Sequence, residues 1–177
     1  HYDRRRQRQM CIRDRLRETG LKPKAKWVLA EGSDTSGMTR SIPIEKILDD
    51  CLIAWAMNGE ALRPEQGYPA RLVVPGWEGN MWVKWIRRLE FGDKPYMTRE
   101  ETSKYTDLLT DGKARMFTWV MEAKSVVTSP SPEKPILHKG IQQLRGLAWS
   151  GKGKIKRVDV SLDLSLIHIS EPTRPVV

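Results

Sequence analysis

Apolar positions along the chain fall in short runs that stop at glycine or proline, a pattern of brief strands joined by tight turns. Trp27-Val28-Leu29-Ala30 predicts one strand, ending at Gly32. Ser41 to Asp50 predicts a short helix, with Ser41 as its cap and Pro43 in its first turn. Cys51 to Met57 predicts a mostly buried strand, and Asn58-Gly59 behind it is a strong hairpin signal. Ala70 to Val74 and Trp82 to Phe91 predict two more strands, parted by a turn at Pro75-Gly76. Leu108 to Trp119 has no clear period and is expected to be an ordered loop. After Val126-Val127-Thr128, the polar, proline-rich stretch Ser129 to Pro135 predicts a linker and a domain boundary. Gly140 to Ala148 and Lys154 to Leu162 predict two final strands, joined by Ser150-Gly151-Lys152-Gly153. The chain has no internal repeat.

The two ends have a different signature. Arg5 to Asp14 reads as the translation of a sequencing adaptor, and Leu164 to Arg174 as its partner adaptor in the matching order and orientation. Residues 1–14 and 164–177 are therefore expected to be artefacts and are set aside from fold reasoning. The authentic insert is expected to span about residues 15–163 and to be truncated at both ends. The formal net charge of +9 then falls to about +6, because residues 1–14 carry five Arg and two Asp. An arginine-rich amino terminus would otherwise have suggested nucleic-acid or membrane binding. Of the two cysteines only Cys51 remains, and of three histidines only His138, which argues against a disulfide or a His/Cys metal site. No apolar run reaches the roughly 18 residues needed to cross a bilayer.

Candidate chemistry lies in Gly67-Tyr68-Pro69-Ala70-Arg71-Leu72-Val73-Val74-Pro75-Gly76-Trp77 followed by Val83-Lys84-Trp85. A strand stops at a tight turn and a second opens on a lysine, so Arg71 and Lys84 are offered to one anion from adjacent segments. With Glu31-Gly32-Ser33-Asp34 upstream and Met57-Asn58-Gly59 between, these segments resemble the molybdenum-cofactor domain of the sulfite oxidase family. Met97 to Tyr105 and Phe117 to Ser125 resemble its bacterial branch of sulfane and sulfite dehydrogenases. Gly146 to Gly151 and Ile155 to Asp163 resemble the start of the family's immunoglobulin-like dimerisation domain. The fold implied is α+β: a molybdopterin-binding (sulfite oxidase-type) domain over 15–128, a linker over 129–135, and a truncated all-β immunoglobulin-like domain over 136–163.

The resemblance implies roles for particular residues. Arg71 and Lys84 match the pair that holds the pterin phosphate, a task suited to a guanidinium fork and a compact ammonium. Trp82 and Val83 match positions that also touch the cofactor, and Asp34 matches an acceptor for the pterin amino groups. Gln66 stands where animal relatives have histidine, so it keeps hydrogen-bonding capacity without a cationic form. Tyr105 matches the active-site tyrosine near the metal. Cys51, between acidic neighbours and a strand, is expected to be a small core residue, with the metal's thiolate ligand on a segment upstream of the insert. The fragment is accordingly expected to be inactive by itself.

The implied whole protein uses Mo-molybdopterin to oxidise sulfite or protein-bound sulfur. It takes oxygen from water, passes electrons to a c-type cytochrome, works in the periplasm and pairs as a homodimer through the immunoglobulin-like domain. No nucleic-acid or membrane partner is expected. An alternative from another class is a β-sandwich binding or assembly module without a redox role. Seven tryptophans interleaved with Arg71, Lys84, Arg87 and Arg88 are compatible with a stacking platform, although a β-rich core accounts for several of them more simply.

Overall fold

The computed structural model describes residues 9–136 and 138–161. In chain order the elements are β1 (Gln9–Cys11), α1 (Ile12–Thr19), β2 (Trp27–Gly32), β3 (Thr39–Pro43), α2 (Ile44–Asp49), β4 (Leu52–Ala54), β5 (Ala56–Met57), β6 (Glu60–Ala61), β7 (Arg71–Val73), β8 (Ile86–Gly92), α3 (Arg99–Lys104), β9 (Asp107–Leu108), β10 (Ala114–Arg115), β11 (Lys124–Ser129) and β12 (Arg145–Trp149). Single 3-10 turns lie at Pro64–Gln66 and Gly79–Met81. The chain divides into two units after Trp119.

Two three-stranded antiparallel sheets build the first unit, in the orders β3-β2-β8 and β1-β4-β7. β2 is central because Val28, Leu29 and Ala30 are apolar on both faces, and every residue from Val28 to Gly32 is buried. Ile42, Ile47, Cys51, Leu72, Val74 and Met81 fill the rest of this core and are fully buried. Asn58 and Gly59 form the expected tight turn between β5 and β6, with φ of 53° and 86°. Both values are positive, as a right-twisted two-residue hairpin requires.

Several boundaries differ from the sequence expectation. Ser41 is not a helix cap: it lies in β3, its amide and hydroxyl both given to the Glu101 carboxylate, and the helix begins after Pro43 at Ile44. Cross-strand pairing with β2 overrides the local cap signal there. The strand expected from Cys51 breaks at Trp55, and the one expected from Trp82 begins only at Ile86. Leu108 to Trp119 contains a small hairpin, β9–β10. Packing also starts ahead of residue 15, since β1 pairs with β4 and Ile12 is 2% exposed. Residues 1–8 and 164–177 of the segments set aside lie outside the described residues.

The second unit contains the β11–β12 pair, with Lys124 opposite Trp149 and Ser129 opposite Arg145. Ser129 to Pro135 therefore connects two strands of one hairpin instead of linking two domains. Its prolines interrupt regular structure, which is the property that made it resemble a linker. Lys154 to Ser161 forms no strand.

Candidate functional site

Two glycines define the site. Gly67 has φ of 104°, and a Cβ placed on it would lie 2.9 Å from the Lys84 Cβ and 3.2 Å from the Arg71 Cβ. Only a residue without a side chain fits between these two cations. Gly32 ends β2, and a Cβ there would meet the Lys84 carbonyl at 2.7 Å, the Asp34 carboxylate at 2.9 Å and the Val83 Cγ1 at 3.3 Å. Backbone bonds fix this crossing: Leu72 donates to the Val83 carbonyl, Ile86 to the Ala70 carbonyl and Ser33 to the Trp85 carbonyl. Trp85 is held at φ of 50°, a conformation costing a bulky residue about 1–3 kcal/mol. Its indole N–H donates to the Pro64 carbonyl at 3.0 Å, which helps to hold it there.

Arg71 is half-buried on β7. Its Nη1 donates to the Gln66 carbonyl and its Nη2 to the Trp82 carbonyl, both at 3.1 Å, while Nε is buried without a partner. A guanidinium has five N–H donors, so three remain unspent, one of them the buried Nε–H. Burial favours its neutral form and pushes its pKa below the ordinary value. Lys84 is exposed, its ammonium 5.5 Å from the Trp85 ring centre. Neither Arg71 nor Lys84 makes an ion pair among the described residues, whereas Lys46, Arg87, Arg88 and Arg115 all do. Two unpaired cations either side of a bare backbone form a cradle whose charge and donors can serve an anion.

The other anticipated residues divide into two groups. Val83 and Trp82 belong to the cradle: Val83 is buried against Gly32, and the Trp82 ring lies 5.6 Å from the Arg71 guanidinium. Asp34 borders it but also organises its own turn, accepting from the Ser36 hydroxyl and from the Met38 amide at 2.9 Å. The Ser36 bond leads the causes that hold its pKa down. Gln66 gives its carbonyl to Arg71, while its side-chain oxygen accepts from the Arg63 amide at 3.3 Å. Tyr105, at the end of α3, lies elsewhere: its ring is 4.1 Å from the guanidinium carbon of Arg40, and among the described residues no hydrogen bond or ring contact joins it to Arg71, Lys84 or Asp34. Cys51 is fully buried, and its thiol is pushed up to about 12, with burial rather than its acidic neighbours as the leading cause.

Sequence reasoning did not assign Gly32 and Gly67 as site residues, nor Arg40 and Glu101. The Thr98-x-x-Glu101 spacing is a capping-box signal and was open to reading: Glu101 accepts from the Thr98 amide at 3.3 Å and its hydroxyl at 3.1 Å. Arg40 gave no such signal, because a charged residue in a strand ordinarily faces water.

Comparison with known proteins identifies the family. Residues 10–100, just over half of the chain, match the oxidoreductase molybdopterin binding domain, and residues 115–166 match the Mo-co oxidoreductase dimerisation domain. The mitochondrial sulfite oxidase of Drosophila melanogaster is 34% identical across 89% of this chain, and the NADH nitrate reductase of Cichorium intybus is 31% identical across 81%. The crystal structure of the sulfane dehydrogenase SoxCD from Paracoccus pantotrophus superposes with a TM-score of 0.83 at 60% identity, covering 91% of this chain. The chain spans 31% of the fly protein and 42% of the Paracoccus chain. Sequence and fold agree, and this chain belongs to the family of oxidoreductase molybdopterin-binding domains, continued by that family's dimerisation domain.

Proposed function

We propose that this chain is the cofactor-anchoring portion of a molybdenum-cofactor sulfite or sulfane dehydrogenase. The observation that carries the reading is the pair of unpaired cations, Arg71 and Lys84, closed around Gly67. The residues present fit a phosphate-bearing pterin: the Arg71 Nε lacks a partner, and Gly67 lets Arg71 and Lys84 approach each other closely enough to serve one anion. Arg71 and Lys84 would hold the phosphate, the Trp82–Val83 segment would line the pterin, and Asp34 would accept from its amino groups. Gln66 would act mainly by orienting Arg71. When bound, the molybdenum cofactor supplies the two-electron redox step. For sulfite the sum is sulfite plus water giving sulfate, two protons and two electrons. The chain's own contribution is positional. The Gln66 and Trp82 carbonyls fix the Arg71 guanidinium before any ligand arrives, which reduces the ordering cost of binding. Tyr105 is assigned to the substrate side, where a phenol can donate to a substrate oxygen.

Sulfur is favoured over nitrate as substrate by the 60% identity to the sulfane dehydrogenase, against 31% for the plant nitrate reductase. Family membership weighs against the alternative of a β-sandwich module without a redox role. A c-type cytochrome as electron acceptor, a periplasmic location and a homodimer through the dimerisation domain belong to the same proposal. No helix among the described residues is long and apolar enough to cross a membrane.

The test is cofactor retention in the full-length protein. Arg71→Ala and Lys84→Ala each remove charge-assisted bonds worth about 1.5–3 kcal/mol. Each should lower pterin content, and the double variant should lower it further. Full pterin loading in the double variant would overturn the assignment.

A further inference from the structure

Arg40 is 0% exposed. Its guanidinium is held by neutral groups: Nη2 donates to the Asn80 side-chain oxygen at 2.7 Å, Nε contacts the Met81 sulfur at 3.0 Å, and Nη1 is buried with no partner. No carboxylate lies within ion-pair distance among the described residues. Glu101, the charge that acts on it most strongly, is itself engaged by Ser41 and Thr98. Burying a cation in this way is costly, and an apolar side chain of similar volume would fill the space without that cost. Packing alone therefore does not account for the charge.

The contacts of Arg40 supply a reason. The guanidinium carbon lies 4.1 Å from the centre of the Tyr105 ring. The same guanidinium reaches Asn80 and Met81, in the 3-10 turn that leads directly into Trp82, Val83 and Lys84. Beside Arg40 on β3, Ser41 holds the amino-terminal part of α3 through Glu101, and Tyr105 closes that helix at its other end. Neighbouring residues of one strand thus fix both ends of the helix that carries the phenol.

We propose that Arg40 is a positioning residue that fixes the Tyr105 phenol relative to the anion cradle, linking α3 to the turn from which Trp82, Val83 and Lys84 emerge. This rests on the reading of Tyr105 as an active-site residue. The guanidinium restricts the ring through a cation–π contact, and the contacts to Asn80 and Met81 transmit the position of the cradle backbone to it.

The experiment uses the full-length holoenzyme with Arg40→Met, Arg40→Lys, Tyr105→Phe and the Arg40→Met/Tyr105→Phe double variant. Sulfite turnover is measured with ferricyanide as acceptor, alongside released pterin and the ring resonances of 13C-labelled tyrosine in the apoprotein. Arg40→Met should keep its pterin and lose turnover by roughly 10- to 100-fold, the effect of misplacing a reacting group by about an ångström. Arg40→Lys should recover part of that loss. The double variant should be no slower than Tyr105→Phe alone, because both changes act through one phenol. The tyrosine signal that Tyr105→Phe abolishes should move in Arg40→Met and return towards its original position in Arg40→Lys.

Additive losses, an unmoved Tyr105 signal, or wild-type turnover in pterin-loaded Arg40→Met would each overturn the proposal. Should Arg40→Met fail to fold, Arg40→Lys carries the test: intermediate turnover with a displaced Tyr105 signal supports it, and wild-type turnover overturns it. Wild-type turnover in pterin-loaded Tyr105→Phe would instead overturn the active-site reading of Tyr105, and this proposal with it. Slow Tyr105→Phe beside normal Arg40→Met would remove the Arg40 proposal alone.

Discussion

At Gly67 a backbone φ of 104° and the nearness of two side chains act together. Gly67→Ala should destabilise the fold by about 1–3 kcal/mol from backbone strain. The added methyl also presses on the Lys84 Cβ, so pterin loading should fall along with the melting temperature. An unchanged melting temperature with normal loading would show that the loop can move aside. Glu31 offers a second test at this scale, since it is 5% exposed and takes salt bridges from Arg87 and Arg88. The Arg87 hydrogen bond leads the causes that hold its pKa below the ordinary 4.5, with Arg88 adding to it. A depressed carboxylate contributes stability that is present above the unfolded value and lost as pH falls through the folded one. The melting-temperature gap between wild type and Glu31→Gln should therefore be full near pH 7 and should close as pH drops below about 4.5. A gap that stays constant down to pH 3 would contradict the ion-pair account.

Elements are held by contacts remote in sequence. Trp119 stacks on Trp77 with ring centres 5.2 Å apart, tilts against Trp27 at 5.8 Å and meets Phe117 edge-on at 6.0 Å. The Glu78 amide donates to the Trp119 carbonyl at 2.7 Å, so this cluster ties residues 117–119 to the turn that precedes the cradle. Trp77→Ala should cost about 3–5 kcal/mol, as truncation of a buried aromatic does. It should also loosen the 78–82 segment, seen as faster amide exchange at Met81 and Trp82. Here the hydrophobic pattern was informative in part. It located the strands of β2 and β7 and the Asn58-Gly59 turn, but Ser41 was assigned to a helix because its capping chemistry is local while its real partner, Glu101, lies sixty residues away.

On the scale of the whole molecule the two units should differ in stability. β11 and β12 form a two-stranded sheet with Val126, Val127 and Leu147 47%, 55% and 62% exposed. A lone pair of strands with its apolar residues in water is at best marginally stable. Amides of Lys124–Ser129 and Arg145–Trp149 should thus exchange faster than those of Val28–Glu31 when this chain is studied alone. Equal protection would contradict this difference in stability. The homodimer proposed above predicts that the full-length protein sediments as a dimer on analytical ultracentrifugation, and a monomer would overturn it.

The sequence by itself determined the family, through Arg71, Lys84 and the glycines and prolines spaced around them. It also determined the strand-rich fold class, because alternating and buried apolar runs are local properties. The tertiary structure decided where charge goes. It showed that Gln66 and Trp82 hold Arg71 by their carbonyls, that Ser129 to Pro135 lies within a hairpin, and that Arg40 is buried beneath Tyr105. Backbone carbonyls look alike in every sequence, a proline-rich turn reads like a linker, and the burial of a charge depends on neighbours forty to sixty-five residues away. Such facts arise only when distant segments meet.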